Sequence, residues 1–142
     1  MLKYLHKYVN EELAPFLGLH HWIFHISEEQ CDGDVWSEID VEDYDEATLK
    51  VGTKFLSAPP NIKVQVLIHE LCHIPVCRIF ENVEAATESL SELLHPDLKP
   101  IASGQLSIHY KSAHRAEESF VNLLGVILSP HAPKWKPPGR AK

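Results

Sequence analysis

Two histidines and a glutamate in the stretch His-Glu-Leu-Cys-His, residues 69–73, have the spacing of a metal-binding motif. On a helix, residues four apart are separated by about 40° around the axis, so both imidazoles project from one face. Two imidazole nitrogens can then hold one Zn²⁺ at about 2.1 Å each. Glu70 points about 100° away from His69, where its carboxylate can accept a proton from a water molecule on the metal. The motif predicts zinc bound by His69 and His73, with Glu70 as general base.

The residues around this motif indicate which side of the helix meets the protein interior. Apolar side chains at positions 64, 67, 68, 71 and 74 recur with the period of one buried helix face. His69 and His73 point away from that face, yet their neighbours there are Ile62 and Val66, which would be unusual beside open water. We therefore expect a helix that lies between the core and a cleft. The alternative is an accidental pair of surface histidines.

A catalytic zinc needs a third protein ligand that still leaves one position open. The last predicted helix, residues 112–128, offers Glu117 and Glu118. We favour Glu118, because it lies opposite the predicted core face and shares a polar stripe with Asn122, which could orient a ligand histidine. Gly125, at the end of that stripe, would let another helix come close. Glu117 is the alternative, and a third possibility is that neither carboxylate is a ligand. The predicted core face of this helix comprises Ala113, Ala116, Phe120, Leu123, Leu124 and Ile127.

HExxH on one helix, followed on a later helix by a glutamate in E-x-x-x-N, resembles the gluzincin branch of the zincins, whose thermolysin-like members have E-x-x-x-D. The small size and the strands ahead of the motif resemble minimal zincin domains, including phage metallopeptidases of unassigned role. The resemblance covers about residues 20–128. It implies that His69, His73 and Glu118 bind zinc, and that Glu70 is the catalytic base. It also implies that an edge strand, here around residues 46–52, pairs with an extended peptide substrate.

Two further expectations follow from the resemblance. Thermolysin-like enzymes place a Tyr or His to stabilise the oxyanion, and His109, Tyr110 and His114 are the candidates here, although each could equally be an ordinary loop, packing or surface residue. The long separation between His73 and Glu118 implies a lid, a specificity loop or an inserted helix within residues 76–110.

The elements that must position these residues predict an α+β fold. One zincin-like domain is expected over residues 1–130, in which a small antiparallel sheet packs against the HExxH helix and the C-terminal ligand helix. Residues 131–142, rich in proline and lysine, are expected to form a flexible tail. In the first part of the chain we expect a helix at 2–14 and three strands in a meander, at 21–26, 35–44 and 46–56, with a turn at 31–34. The HExxH helix is expected at 62–74 and ends near Pro75, and an irregular helix follows at 76–94. A loop marked by Pro96, Pro100 and Gly104 then leads to the last helix at 112–128.

Composition excludes some functions. The chain has 142 residues and a formal net charge of -7, which argues against nucleic-acid binding. Ten Asp or Glu and no Lys or Arg occur in residues 28–46, either as a solvated edge or as a rim that favours cationic partners. Cys31, Cys72 and Cys77 are too few for a disulfide framework, and the latter two are expected to be buried thiols. With no signal peptide and no membrane span expected, we predict a cytoplasmic protein.

The predicted activity is zinc-dependent hydrolysis of a bond in a peptide or protein substrate. One alternative is a non-catalytic zinc-binding domain whose site is closed by His114 as well as Glu118. Another is a protein-interaction module in which the acidic stretch 28–46 contacts a basic partner.

Overall fold

The computed structural model of the chain describes residues 1–28, 36–43, 45–93 and 96–137. Cys31 and the predicted turn at 31–34 lie outside the described residues, as do residues 138–142 of the predicted tail. The elements, in chain order, are α1 (Leu2–Tyr8), a π-helical stretch (Val9–Leu13), α2 (Ala14–Phe16), β1 (Ile23–Ser27), β2 (Ser37–Asp43), β3 (Glu46–Val51), α3 (Thr53–Ser57), α4 (Pro60–Glu92), a short 3₁₀ turn (Pro96–Leu98) and α5 (Lys99–Leu128). The predicted α+β class is confirmed.

The three strands form a mixed sheet, so the predicted antiparallel meander is wrong. Their order is β1-β3-β2, with β1 parallel to β3 and β2 antiparallel to β3. β2 and β3 follow each other in the sequence at the spacing of a hairpin, and they pair in antiparallel fashion. β1 and β2 are also consecutive, yet they lie at opposite edges of the sheet. The order of the strands along the chain therefore does not predict their order in the sheet.

This order also moves the predicted edge strand. β3 is central and is paired on both sides, so the stretch 46–52 cannot add a substrate strand as we expected. β2 is the edge strand that lies next to α4. The third strand also ends earlier than predicted, at Val51, and the chain enters α3 after Gly52.

α4 is longer than predicted, because Pro75 lies inside it rather than at its end. Proline has a φ angle that a helix accepts, and it removes only one donor from the helix ladder. The apolar face predicted for this helix is confirmed: Val64, Leu67, Ile68, Leu71 and Ile74 are all buried. α4 thus packs its apolar face against the core and carries the histidine pair on the face opposite to it.

α5 also begins earlier than predicted, at Lys99, and it includes Pro100 and Gly104, which we had expected in a loop. The long separation between His73 and Glu118 is taken up by the far halves of α4 and α5, which form a helical hairpin. Every side chain described between residues 79 and 109 is exposed. Two elongated helices therefore stand where we expected a lid, a loop or an inserted helix.

The core lies between the sheet, the N-terminal helices and the first half of α4. Phe24, Leu49 and Phe55 are fully buried in it, together with Leu5 and Tyr8 from α1. Trp135, which the sequence places in the tail, is also part of this core. No helix in the described part of the chain combines the length and the apolar character needed to cross a membrane.

Candidate metal centre

The two imidazoles of the motif face each other across one turn of α4. The Nε2 atoms of His69 and His73 lie 3.2 Å apart. Two nitrogens bound to one tetrahedral zinc at about 2.1 Å each are separated by about 3.4 Å. The spacing of the pair therefore matches two ligands of a single ion.

Glu118 supplies a carboxylate to the same point. Its oxygens lie 3.7 Å from Nε2 of His69 and 3.6 Å from Nε2 of His73. Both contacts are made to the nitrogens that face each other, so the three groups surround one position between α4 and α5. Of the two candidate carboxylates, Glu118 is thus the one that faces the Nε2 atoms of both histidines.

Glu117 has a different position and contacts the opposite nitrogen of His73. Its Oε1 accepts a hydrogen bond from Nδ1 of His73 at 2.9 Å, and the Cys77 thiol donates to the same oxygen at 3.1 Å. Burial alone raises the pKa of Glu117, but these hydrogen bonds outweigh it and hold the pKa below its usual value. An ionised Glu117 keeps the proton of His73 on Nδ1, which leaves Nε2 free to bind a metal.

His69 is held in the neutral form that a metal ligand requires. Burial, followed by the nearby His73, lowers the pKa of His69, while Glu118 and a hydrogen bond with Asn122 act in the opposite direction. The predicted contact between Asn122 and a ligand histidine is therefore present. The structure pairs Asn122 with His69 and Glu117 with His73, so each imidazole has its own polar neighbour on α5.

The close approach of α5 to α4 depends on Gly125. A Cβ atom at this position would lie 3.1 Å from the carbonyl oxygen of Gln65 and 3.7 Å from Cβ of His69. The absent side chain lets the two backbones come together beside the ligands, which is the role expected for this glycine.

Glu70 is buried next to the histidines, with 8% of its surface exposed. One of its carboxylate oxygens lies within 4.8 Å of a ring nitrogen of each histidine. The Ser37 hydroxyl, at the start of β2, donates to Oε1 of Glu70 at 2.8 Å. Burial raises the pKa of Glu70 to about 7, although the hydrogen bond from Ser37 lowers it. A carboxylate with such a pKa can both take and return a proton near neutral pH.

A cleft of about 310 Å³ opens over these groups. Its walls come from the β2 end of the sheet, the first turns of α4 and the end of α5, and they comprise Trp36, Ser37, Ile62, Gln65, Val66, His69, Glu70 and Asn122. The aliphatic neighbours of the histidines thus line a cleft, as the sequence predicted. A substrate in this cleft would contact His69 and Glu70 directly.

Comparisons of the chain with protein-family models, with curated proteins and with solved structures give no match. Within the described part of the chain, two overlapping groups of side chains could hold a metal ion: His69 with Glu70 and His73, and His73 with Cys77 and Glu117.

Sequence reasoning missed Ser37 and Cys77 as parts of this region, and it missed the contact that Glu117 makes with Nδ1 of His73. Glu117 was considered only as a substitute for Glu118, and Cys77 only as a buried thiol. The signal for Cys77 was its position four residues after His73, the same helical spacing that separates the two histidines. Ser37 gave no comparable signal, because its contact depends on how β2 packs against α4.

The oxyanion candidates lie on α5 before the ligand. Tyr110 precedes Glu118 by eight residues, which is about 12 Å along a helix axis. Its hydroxyl is buried and has no hydrogen-bond partner among the described residues. His109 is exposed, and Nδ1 of His114 lies 3.9 Å from Oε2 of Glu117. His114 thus contacts a carboxylate that is itself hydrogen-bonded to His73.

Proposed function

We propose that this chain is a zinc-dependent metallopeptidase of the zincin type. The observation that carries the proposal is the meeting of three groups at one point: two Nε2 atoms 3.2 Å apart, with Glu118 oxygens 3.6 and 3.7 Å from them. Imidazole and carboxylate ligands in this number are typical of catalytic zinc, which keeps one position open. The buried Glu70 beside that point supports catalysis rather than a purely structural ion.

The residues of the site would divide the reaction between them. His69, His73 and Glu118 would hold zinc, which when bound polarises a carbonyl and makes water more acidic. Glu70 would take a proton from the attacking water and then pass it to the leaving amine, a return that a pKa near neutrality allows. Ser37 would keep the carboxylate of Glu70 in place through its hydrogen bond.

A peptide is the substrate class that the surroundings favour. β2 is an edge strand, and Trp36 and Ser37 at its beginning form one wall of the cleft. An extended peptide could add to such an edge through backbone hydrogen bonds, which would bring one of its bonds over Glu70 and the ligands. This proposal gives β2 the role that the resemblance had implied for residues 46–52.

The test is hydrolysis of a mixed peptide library by the zinc-loaded protein and by its Glu70→Gln variant. We expect the variant to keep its zinc and to lose at least about a hundredfold in rate, since general-base catalysis contributes about 10²–10⁴-fold. Glu92→Gln, an exposed change far along α4, is the matched control and should leave the rate unchanged. Equal rates in the wild type and Glu70→Gln would remove Glu70 as the base. Bound zinc without hydrolysis of any peptide would favour the non-catalytic zinc-binding domain.

A further inference from the structure

A second group of metal-binding atoms lies behind the first. His73 Nδ1, Cys77 Sγ and a carboxylate oxygen of Glu117 lie within 4.8 Å of one another. These atoms are on the side of the His73 ring that faces away from His69 and Glu118. We propose that they form a second metal site, selective for divalent cations that bind thiolate, and that this site competes with the first for His73.

The positions of the ligands on the two helices suit such a site. His73 and Cys77 are four residues apart on α4, so their side chains share a face of that helix. Glu117 approaches from α5, and His114 lies one turn before it, with Nδ1 3.9 Å from Oε2 of Glu117. His73 Nδ1, Cys77 and Glu117 give one nitrogen, one sulfur and one oxygen donor, a set that suits zinc with one position open, and His114 lies outside this group as a neighbour of Glu117.

Two hydrogen bonds hold together the atoms that would bind the cation. The Nδ1–H of His73 and the thiol of Cys77 both donate to Oε1 of Glu117, at 2.9 and 3.1 Å. A tetrahedral ion would hold the same atoms about 3.3 to 3.5 Å apart, so each contact must open by about 0.4 Å. An ion at this site releases the thiol proton of Cys77 to solvent, and the ring proton of His73 moves from Nδ1 to Nε2, the nitrogen that faces the first site. Ions at both sites together would require the ring to release that proton as well and to bridge them as an imidazolate, so the second ion binds more weakly.

The thiolate distinguishes this site from the first, whose ligands are nitrogen and oxygen alone. Sulfur ligands favour softer or borderline cations, and thiolate bound to Co²⁺ gives an intense charge-transfer absorption in the near ultraviolet. Cobalt is therefore a probe that reports on the second site without any measurement of activity.

The experiment is a Co²⁺ titration of the full chain, followed by absorption and by equilibrium dialysis. In the wild type we expect a first equivalent without thiolate absorption and a weaker second equivalent with it. Cys77→Ser should bind the first equivalent only and show no such band. Cys72→Ser is the matched control: Cys72 is buried and lines an apolar cavity with Leu17 and Leu124, so the band should persist.

Two further variants separate the second site from the first and from the proposed function. His69→Ala removes a ligand of the first site only, so the thiolate band should appear with the first equivalent added. His114→Ala changes a side chain that is 72% exposed, so the fold should be retained. We expect it to weaken the second equivalent at least about tenfold, since even an outer contact to a metal site is worth about 10–100-fold.

A band that persists in Cys77→Ser, or no band in either the wild type or His69→Ala at saturating Co²⁺, would overturn the proposal. Hydrolysis of peptides is not involved in any of these readings. The second site could therefore exist in a protein without peptidase activity, and a working peptidase could lack it.

Discussion

Glu70 is a carboxylate held where its charge is unfavourable. It lies in the interior between α4 and the first residue of β2, and burial raises its pKa to about 7. The Ser37 hydroxyl offsets only part of that effect. Side chains with such shifted pKa values are concentrated at functional sites, because a proton-transfer group needs a pKa near the working pH. Burial of the ionised Glu70 lowers the stability of the fold, which is consistent with a catalytic role for this side chain.

The raised pKa of Glu70 predicts how the free energy of unfolding of the metal-free protein changes with pH. The pKa of Glu70 in the folded protein, about 7, lies above the usual 4.5, so the protonated side chain favours the folded state. The contribution of Glu70 to the free energy of unfolding is therefore highest below pH 4.5 and falls as the pH rises through 7. The Glu70→Gln side chain cannot ionise, so the variant should not show this fall. We expect the free energy of unfolding of the variant, relative to wild type, to increase by on the order of 2 to 3 kcal/mol between about pH 5 and about pH 8.

Urea unfolding of the chelator-treated proteins at the two pH values measures this difference. Exposed Glu92→Gln controls for the loss of a negative charge and should give no such increase. A constant difference between Glu70→Gln and wild type across the range would mean that Glu70 titrates like an exposed carboxylate.

The adjacent carboxylates of Glu117 and Glu118 on α5 have different roles, so their variants should differ in zinc affinity. Glu118 faces both Nε2 atoms, whereas Glu117 contacts only Nδ1 of His73. We expect Glu117→Gln to weaken zinc binding about 10–100-fold, as is usual for a group that orients a ligand, and Glu118→Ala to weaken it more. Competition with a chromogenic zinc chelator gives both affinities, with the exposed neighbour Ser119→Ala as control. The reverse order would make Glu117 the third ligand.

Much of this centre could be predicted from residue types and spacing. His69, Glu70 and His73 follow from the helical repeat, and Glu118 and Asn122 follow from the polar stripe that contains them. The part of Glu117 could not be predicted, because its side chain points about 100° away from that of Glu118. Which of the two meets which histidine nitrogen depends on the rotation of α5 about its own axis, which is set by tertiary packing.

Among the elements, the prediction was wrong about the rotation of α5 about its own axis. The predicted core face of α5 is largely exposed: Phe120 is 49% exposed, and Leu123 and Ile127 are each 52% exposed. The face that packs against α4 instead contains Glu117, Val121 and Gly125. α5 carries apolar residues on more than one face, and periodicity alone does not say which face another helix will cover.

Gly125 gives a direct test of how closely α5 must lie against α4. In Gly125→Ala the new methyl would be 3.1 Å from the Gln65 carbonyl, so α5 must shift away. Glu118 moves with the helix, and we expect at least about a tenfold loss of zinc affinity, a change typical of disturbed support around a metal. Gly104→Ala is the matched control on the same helix, since a Cβ there meets nothing within 4 Å.

The control has an expectation of its own. Alanine favours the helix over glycine, so Gly104→Ala should leave zinc affinity unchanged and increase stability by up to about 1 kcal/mol. Zinc affinity and thermal unfolding measured on both variants separate helix propensity from helix spacing. Wild-type affinity in Gly125→Ala would show that the ligands tolerate a displaced α5.

For the whole molecule, the sequence predicted the class of fold but not the path of the chain. The alternation along β3, with Ala47, Leu49 and Val51 buried, follows from its sequence, and so does the buried face of α4. The central position of β3 does not, because strand order depends on long-range packing. Trp135 was missed for a similar reason: the prolines around it suggested a loose tail.

Trp135 holds residues 131–137 to the N-terminal helix. Its ring makes edge contacts with Tyr4 and Tyr8, at centroid distances of 5.0 and 5.1 Å, and the Lys63 ammonium lies 5.7 Å from its centre. We expect Trp135→Ala to lower the free energy of unfolding by about 3 kcal/mol, the usual cost of deleting a large buried aromatic ring. Denaturant unfolding measures the loss. Exposed Lys134→Ala should leave stability within about 0.5 kcal/mol of wild type.

The contacts of Tyr4 and Tyr8 also have a consequence for the order of folding. The hydroxyl of Tyr8 donates to the carbonyl of Pro133, and the amide of Lys136 donates to Tyr4, so these bonds span 125 and 132 residues. Contacts so distant in sequence form late in folding. The aromatic rings of α1 therefore stay uncovered until a segment more than 120 residues further along the chain packs over them.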